Sequence, residues 1–389
     1  MKFKKIILML VIGFFVLVGC GKKEKPKPNP EKPLPEVNER SISSVNDLTY
    51  DLFAYSFKEG ENILLSPYSL YEAMAMLYNG AENDTAEGIK EFFGFFDKEE
   101  NNLYIKNLRE NLLTCKEIVS VSNAVYLKNG FSFSPRLDEE FIKPLTKSFG
   151  AEVHKIDFDS KAVDIINNWI KEKTNGLITK MIDEVPNDAI MYLINAVYFK
   201  GEWEYQFEEK NTSKQKFNDQ MVDMMHMYNE KFLYYSDDDI QAIQLPYQDK
   251  YAMNIYLTKD GKYTDIDLKD ITDKLDKSSK TEINKLALPK FTYETELILF
   301  NDYLSELDIF MPYTNLGIIA NDIYVSRVMH KAKIIVNEQG TEAAAVTVIE
   351  VKDTAMPEPN NFIVDKSFVY TIVHKDTGTI LFIGYMNEI

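Results

Sequence analysis

Residues 338–350, Glu-Gln-Gly-Thr-Glu-Ala-Ala-Ala-Val-Thr-Val-Ile-Glu, constrain this chain more than any other stretch. Gly340 starts a run that is almost wholly small or β-branched. No Pro appears until Pro357, and Lys352 is the single basic residue between Gly340 and Pro357. Such a run can enter a sheet as a middle strand, where Pro would remove a ladder donor. A large or charged inward side chain would cost desolvation there. The run leads directly into residues 352–361, Lys-Asp-Thr-Ala-Met-Pro-Glu-Pro-Asn-Asn, which read as an exposed loop. The combination describes a loop that can become a strand. Taken alone, the run also fits an ordinary half-buried strand or an Ala-rich helix start.

Alternation sharpens the strand reading, because successive side chains point to opposite faces. One face would carry Thr341, Ala343, Ala345, Thr347 and Ile349, all uncharged and mostly small. The other would carry Glu342, Ala344, Val346, Val348 and Glu350, which begins and ends with a charge and suits solvent.

The N-terminus carries a separate message. Lys2, Lys4 and Lys5 precede an apolar run at residues 6–18, which is short for a membrane span and fits a signal-peptide apolar region. It ends in Leu17-Val18-Gly19-Cys20, which resembles a bacterial lipobox; in that motif the Cys becomes the first mature residue and carries the lipid. A free Cys after a short anchor helix is the alternative. Residues 1–19 are thus expected to be a lipoprotein signal peptide. Residues 20–40 would be lipidated Cys20 and a Pro/Lys-rich tether unable to build a core. In a polyproline form at roughly 3.1 Å per residue the tether would reach on the order of 60 Å. The protein would then be lipid-anchored to a bacterial cell envelope, facing outside the cytoplasm. Residues 41–389 are uniform in composition with no Gly/Ser linker, which indicates one large domain.

The formal net charge is −17, and loss of residues 1–19 would remove three further Lys. An acidic body argues against nucleic acid as a partner and against a polyanion site. Of the two Cys, only Cys115 would remain beside a lipidated Cys20, so no intramolecular disulfide is expected. The chain must rely on its core, and a body of this length can supply one.

Coarse element signals run along the body. Ser66 as cap, Pro67 in the first turn, Leu70, Ala73, Met74 and Leu77 on one face, and Gly80 at the end predict a helix. Asp84 with Glu87 predicts a second start through a capping box. Val119, Val121, Val125 and Leu127 interleaved with Ser120, Ser122 and Tyr126 predict a strand. Val163, Ile166 and Ile170 with Trp169 predict a helix before Gly176. Residues 189–199 are nearly all apolar and predict a central strand buried on both faces, within which Asn195 needs a partner. Residues 251–257 and 285–291 predict strands, and 367–373 with 379–385 a hairpin around Asp376-Thr377-Gly378. Helices dominate the first half and strands the second. The pattern is α+β, with N-terminal helices packed on large, mainly antiparallel sheets.

Catalytic and metal signatures do not stand out. There is no His-Glu-x-x-His, Gly-x-Ser-x-Gly, phosphate loop or Cys pair. His154, His226, His330 and His374 are widely spaced, without metal-ligand clustering. Met221, Met224, Met225 and Met227 around His226 read as core filler. The chain is therefore read as not an enzyme, without metal or cofactor.

Several stretches together resemble the serpin family, in the family's order. They are Asn62-Ile63-Leu64-Leu65-Ser66-Pro67-Tyr68-Ser69; Gly150-Ala151-Glu152-Val153 with Asp157-Phe158; Asn168-Trp169-Ile170 through Lys173-Thr174-Asn175-Gly176; and Asn195-Ala196-Val197-Tyr198-Phe199-Lys200-Gly201-Glu202-Trp203. Met224-Met225-His226, Leu245-Pro246-Tyr247, His330-Lys331-Ala332, the hinge at 338–345 and Gly378-Thr379-Ile380-Leu381-Phe382-Ile383-Gly384 complete the set. The resemblance covers residues 41–389.

It implies a serpin-like fold with an exposed, insertable reactive loop. It also implies an irreversible suicide-type inhibitor of serine (or cysteine) endopeptidases, acting as a monomer. The protease attacks the loop, and the cleaved loop inserts into the main sheet and carries the acyl-enzyme with it. The hinge would comprise Glu338, Gly340, Thr341, Glu342, Ala343, Ala344 and Ala345. Ser66, Ser69, Asn195 and His330 look like the family's hydrogen-bonded shutter, and Trp203 like the breach where insertion begins. Family inhibitors usually carry fourteen residues from the hinge Gly to the attacked carbonyl, which places the bond at Thr354–Ala355, with Lys352, Ala355 and Met356 as alternatives. A small uncharged residue there suggests an elastase-like or subtilisin-like target. Fourteen residues at roughly 3.3 Å each would carry the protease on the order of 45 Å. Gln339 departs from a commoner Glu, and Val346 ends the Ala run early. Two other readings compete: a non-inhibitory serpin acting as a surface binding or scaffold module, and an unrelated surface lipoprotein of two linked α/β lobes.

Overall fold

Apolar spacing and caps account for the first half of the chain. In the computed structural model, which describes residues 33–114, 118–307, 309–310, 314–341 and 360–389, α1 (Glu39–Ser56) is capped by Asn38, whose side chain accepts from the Ser41 amide at 3.2 Å. It buries Val45, Leu48, Leu52 and Phe53. The short strand β1 (Ile63–Leu65) leads into α2 (Pro67–Gly80), which starts and stops where the Pro and Gly signals put its ends. Ser66 does not cap it with its side chain; the hydroxyl instead donates to the Leu381 carbonyl at 2.8 Å. Helix α3 (Asn83–Phe93) begins one residue before Asp84 and has no side-chain cap, so the expected capping box is not formed. Glu82 occupies the cap position, and its carboxylate is taken by Arg136 in two bonds of 2.8 and 2.7 Å. Helix α4 (Lys98–Leu112) follows.

A three-stranded sheet comes next. Strand β2 (Val119–Lys128) is its centre, parallel to β3 (Glu152–Ile156) and antiparallel to β4 (Met191–Phe199). Two wide helical turns, Leu137–Ile142 and Leu145–Phe149, connect β2 to β3. Helix α5 (Ser160–Lys173), capped by Asp159, packs Ile166, Trp169 and Ile170 against Ala124, Tyr126, Ile194 and Ala196 of the sheet. The expectation that residues 189–199 are buried on both faces is corrected. Met191, Leu193, Asn195 and Val197 are only half-buried while Ile194, Ala196 and Tyr198 are buried. The physical reason is that α5 covers the face carrying Ile194 and Ala196 while the opposite face is covered less completely; β4 is also an edge strand of this sheet and not a central one.

The second half supplies β5 (Ser213–Phe217), β6 (Gln220–Ser236), β7 (Ile240–Pro246), β8 (Tyr251–Thr258), α6 (Leu268–Asp276) and β9 (Lys280–Pro289). Then come β10 (Phe291–Glu294), β11 (Ile298–Leu299), β12 (Met329–His330), β13 (Lys333–Val336), β14 (Asn361–Ile363), β15 (Phe368–His374) and β16 (Thr379–Met386). Nine strands join one sheet in the order β1-β16-β15-β8-β7-β6-β9-β14, with β5 beside β6. Only β14–β9 is parallel in it. The strand expected at 285–291 is split at Pro289, which has no amide hydrogen to continue the ladder; β10 then pairs with β13 instead. The hairpin of β15 and β16 forms as its turn signal predicts. Met224, Met225 and Met227 are core filler, but Met221 is 59% exposed. It lies near the end of the β5–β6 hairpin, opposite exposed Lys216. Residues Pro35–Ile389 form one compact unit. Cys20, Cys115, Glu342, Ala343, Ala344, Ala345, Thr354 and Ala355 lie outside the described residues.

Core packing is tight where β15 meets β16. Gly384 pairs with Tyr370, and a Cβ at Gly384 would sit 2.4 Å from that ring. Tyr370 is fully buried, with Phe291 and Phe368 packed on it, so the ring has little room to yield. Gly384→Ala is expected to cost about 1–3 kcal/mol through overpacking, read as a lower urea midpoint with the fold retained. An unchanged midpoint would contradict the packing described.

Candidate functional site

The free edge of β4 faces a second free edge. Among the described residues, strands β12 and β13 pair only with β11 and β10, so β4 and β12–β13 are not joined along their length there. Between them lies a narrow cleft whose lining includes Ser66, Ser69, Asn195, Ala196, Met329 and His330. Helix α2 packs against both β4 and β16, and its first turn bridges the two banks. On one bank, the Ser66 amide donates to His330 Nε2 at 3.3 Å. On the other, the Ser69 hydroxyl donates to Asn195 Oδ1. Asn195 Nδ2 donates to Asn123 Oδ1 at 2.8 Å and to Glu72 Oε2 at 3.2 Å. The partner that Asn195 requires is therefore a set of three residues.

His330 is 5% exposed and stacks on Phe300 at 5.5 Å. Burial lowers its pKa to about 4, weakly opposed by a backbone hydrogen bond to Leu64. At neutral pH the ring is uncharged. Because Nε2 accepts from Ser66, the proton belongs on Nδ1.

One end of the cleft is closed by backbone pairing. Trp203 N–H donates to the Gln339 carbonyl at 2.8 Å, Phe207 N–H to Glu338 at 2.9 Å, and Thr341 N–H to Gly201 at 2.7 Å. The Trp203 indole N–H adds a bond to the Asn337 carbonyl at 3.0 Å, and its ring stacks on Tyr247 at 4.5 Å, nearly parallel. Tyr247 in turn shares a 2.9 Å hydrogen bond with the hydroxyl of Thr341, which is 3% exposed. Gly340 has no alternative here: a Cβ would fall 2.0 Å from the Gly201 carbonyl oxygen. Glu338 is 5% exposed and bonds Lys290 and Thr212, each at 2.8 Å. Burial alone would raise its pKa, but Lys290 and Thr212 outweigh that and hold it below the usual carboxylate value.

The residues singled out in the sequence thus fall into two groups. Ser66, Ser69, Asn195 and His330 meet at the cleft; Trp203, Glu338, Gly340 and Thr341 meet at its closed end. Sequence reasoning missed Glu72, Arg109, Asn123 and Lys290. Glu72 did leave a signal: it is the only charged residue between Asn62 and Glu82, inside a helix whose apolar residues run all round it.

Residues 43–389 match the family described as serpin (serine protease inhibitor). The chain belongs to the serpin family. A serpin-like protein of Thermococcus kodakarensis is 30% identical, covering 98% of each chain. Human neuroserpin is 33% identical over 84% of this chain and 86% of its own, and human leukocyte elastase inhibitor 32% over 83% and 92%. Among solved structures, the thermophilic serpin tengpin in its native state superposes with a TM-score of 0.81 at 28% identity, covering 92% of this chain and 96% of its own. The architecture is the serpin fold, and serpins in general inhibit proteases rather than catalyse.

The buried imidazole of this serpin gives its stability a pH dependence. The folded pKa of His330, about 4, lies below the ordinary 6.5, so between these values the unfolded chain binds more protons. The contribution is whole above pH 6.5 and is lost as pH falls toward 4. At pH 5 the loss is about 2 kcal/mol. His374, also lowered to about 4 by burial, adds a similar loss. His330→Gln is expected to reduce the fall in unfolding free energy between pH 7 and pH 5 by about 2 kcal/mol, measured by urea titration at both pH values. An unaltered difference would show that His330 does not titrate as described.

Proposed function

We propose that this serpin is an irreversible inhibitor of serine endopeptidases. It would trap the acyl-enzyme by inserting its cleaved loop, Thr341 onward, into the cleft between β4 and β12–β13. The observation that carries this reading is Thr341 itself. It is small, uncharged and buried against Tyr247 at the closed end of the cleft, and it is the first residue of the strand-competent run. The next inward residues by alternation, Ala343, Ala345, Thr347 and Ile349, carry no charge. Each added residue would satisfy edge groups of β4 and β13 that now lack strand partners, and each ladder bond contributes about 1 kcal/mol net. The uncleaved form would then persist for kinetic reasons.

The bait bond on this reading is Thr354–Ala355, by the fourteen-residue spacing from Gly340 usual in family inhibitors. A small residue before the bond favours an elastase-like or subtilisin-like protease. That the human relative named leukocyte elastase inhibitor covers most of this chain is in keeping with such a target. Lipidation at Cys20, argued from Lys2, Lys4 and Lys5, the apolar run at residues 6–18 and Leu17-Val18-Gly19-Cys20, would hold the inhibitor at the cell envelope.

Mixing the purified protein with elastase-like, subtilisin-like and trypsin-like proteases tests this directly. A heat- and detergent-stable adduct is expected with at least one, releasing a C-terminal peptide that begins at Ala355. Loop cleavage without adduct across the panel would favour a binding or scaffold role. Thr341→Arg places a charge at the first buried position, and the desolvation cost should raise the moles of inhibitor consumed per protease by more than about tenfold. Undiminished trapping by that variant would rule out entry at Thr341.

A further inference from the structure

We propose that the buried Glu72–Arg109 pair is a brake on loop insertion: both are positioning residues that tie β2 and β4 to α2 until the loop enters. The inference rests on the insertion reading above and deepens it. Ser66 at the start of α2 and Ser69 and Glu72 within it are spaced three residues apart. Ser66 reaches the β12 bank and Ser69 the β4 bank, while Glu72 reaches two strands at once. Its Oε2 accepts from Asn195 on β4 at 3.2 Å, and its Oε1 accepts from Asn123 on β2 at 3.1 Å. Asn123 and Asn195 are directly opposite in the β2–β4 register and bond each other. One carboxylate thus grips a cross-strand pair, and β2 and β4 are held to the helix as a unit.

The grip depends on charge. Glu72 is wholly buried, and Arg109 of α4 is 8% exposed. Arg109 Nη1 bonds Glu72 Oε1, and Nη2 donates to the Val121 carbonyl of β2 at 3.1 Å. Burial works against the guanidinium, yet Glu72 beside it more than compensates and raises its pKa. Hydrogen bonds to an ionised acceptor are stronger than neutral ones, and a buried charge stripped of a partner is costly.

A new strand needs roughly 4.8 Å on each side, so the β4 bank must separate from the β12 bank. Helix α2 holds both banks. The contacts from Ser69 and Glu72 to Asn195 are those that must shear as the β4 bank moves. An anionic acceptor at Glu72 makes that shear slower than a neutral one would.

The test compares the parent with Glu72→Gln and with Glu72→Gln/Arg109→Gln. The double variant guards against the single one failing to fold around an unpaired Arg109. Leu275→Ala, in a fully buried position of α6, serves as a remote control matched for loss of urea midpoint. The uncleaved proteins are warmed, and loop insertion is followed as the appearance of a species resistant to unfolding in a transverse urea gel. The neutral double variant is expected to convert at least about tenfold faster than the parent, with Leu275→Ala changing less than about threefold. Equal acceleration by Leu275→Ala, or a double variant within about twofold of the parent, would reduce the pair to ordinary core structure and overturn the proposal. Parent protein cleaved in its loop is run alongside. If cleavage brings no gain in urea resistance, there is no insertion to brake, and both readings fall; if it does while the variants leave the rate unchanged, only the brake falls.

Discussion

Two unpaired strand edges facing one another are the constraint on which the rest of this structure depends. Unpaired amides and carbonyls on a sheet edge invite any extended segment to add to them. Here the edges of β4 and β12–β13 lie side by side, separated by a cleft, and among the described residues pairing is completed only between residues 201–207 and 338–341. A fold at its deepest minimum would close such edges. This one ties both to the start of one helix, through the Ser66 amide on one bank and the Ser69 and Glu72 side chains on the other, and the polar chemistry of α2 follows from that task.

That task explains why so many polar groups sit in a core otherwise apolar. Ser66, Glu72, Asn123 and His330 are each at most 5% exposed, and each has partners in more than one element or across two strands. Apolar replacements of similar volume would pack at least as well, since buried ion pairs seldom exceed hydrophobic packing in stability. What hydrogen bonds add is direction: they release abruptly when geometry is lost, whereas apolar contacts slide. A latch between two banks needs the former property. The neutral state of His330 belongs to the same logic, because an imidazolium could not accept from the Ser66 amide.

Much of this was legible in the sequence, and the failures are instructive. Helix α2 and the β15–β16 hairpin were readable because local signals and the tertiary structure agree. The capping roles of Ser66 and Asp84 were misread because tertiary partners, Leu381 for one and Arg136 at Glu82 for the other, outcompete local caps. Residues 189–199 look like a strand covered on both faces because apolar composition reports depth and not neighbours; it cannot show that one edge of β4 is free. The network around Glu72 was invisible for a related reason. Its members, Glu72, Arg109, Asn123 and Asn195, come from four separate elements, and no spacing rule links them. Only the isolation of one charge in an apolar helix hinted at it.

The docked hinge changes how an inserting strand would begin. Loop closure and the first fixed residues are the unfavourable part of forming any ladder, and each later pair adds its bond at a smaller entropic cost. In this structure the first steps are already made. Gly340 lies against Gly201 more closely than any side chain allows, and Thr341 has its amide on Gly201 and its hydroxyl on Tyr247. A strand growing from Thr341 would start from a formed nucleus in fixed register, so its inward face is set as Thr341, Ala343, Ala345 and onward. Register error, which would turn Glu342 toward the core, is thereby excluded at the outset. On the proposed insertion, entry would be restrained not by nucleation but by the separation of the banks, and its control would return to the first turns of α2.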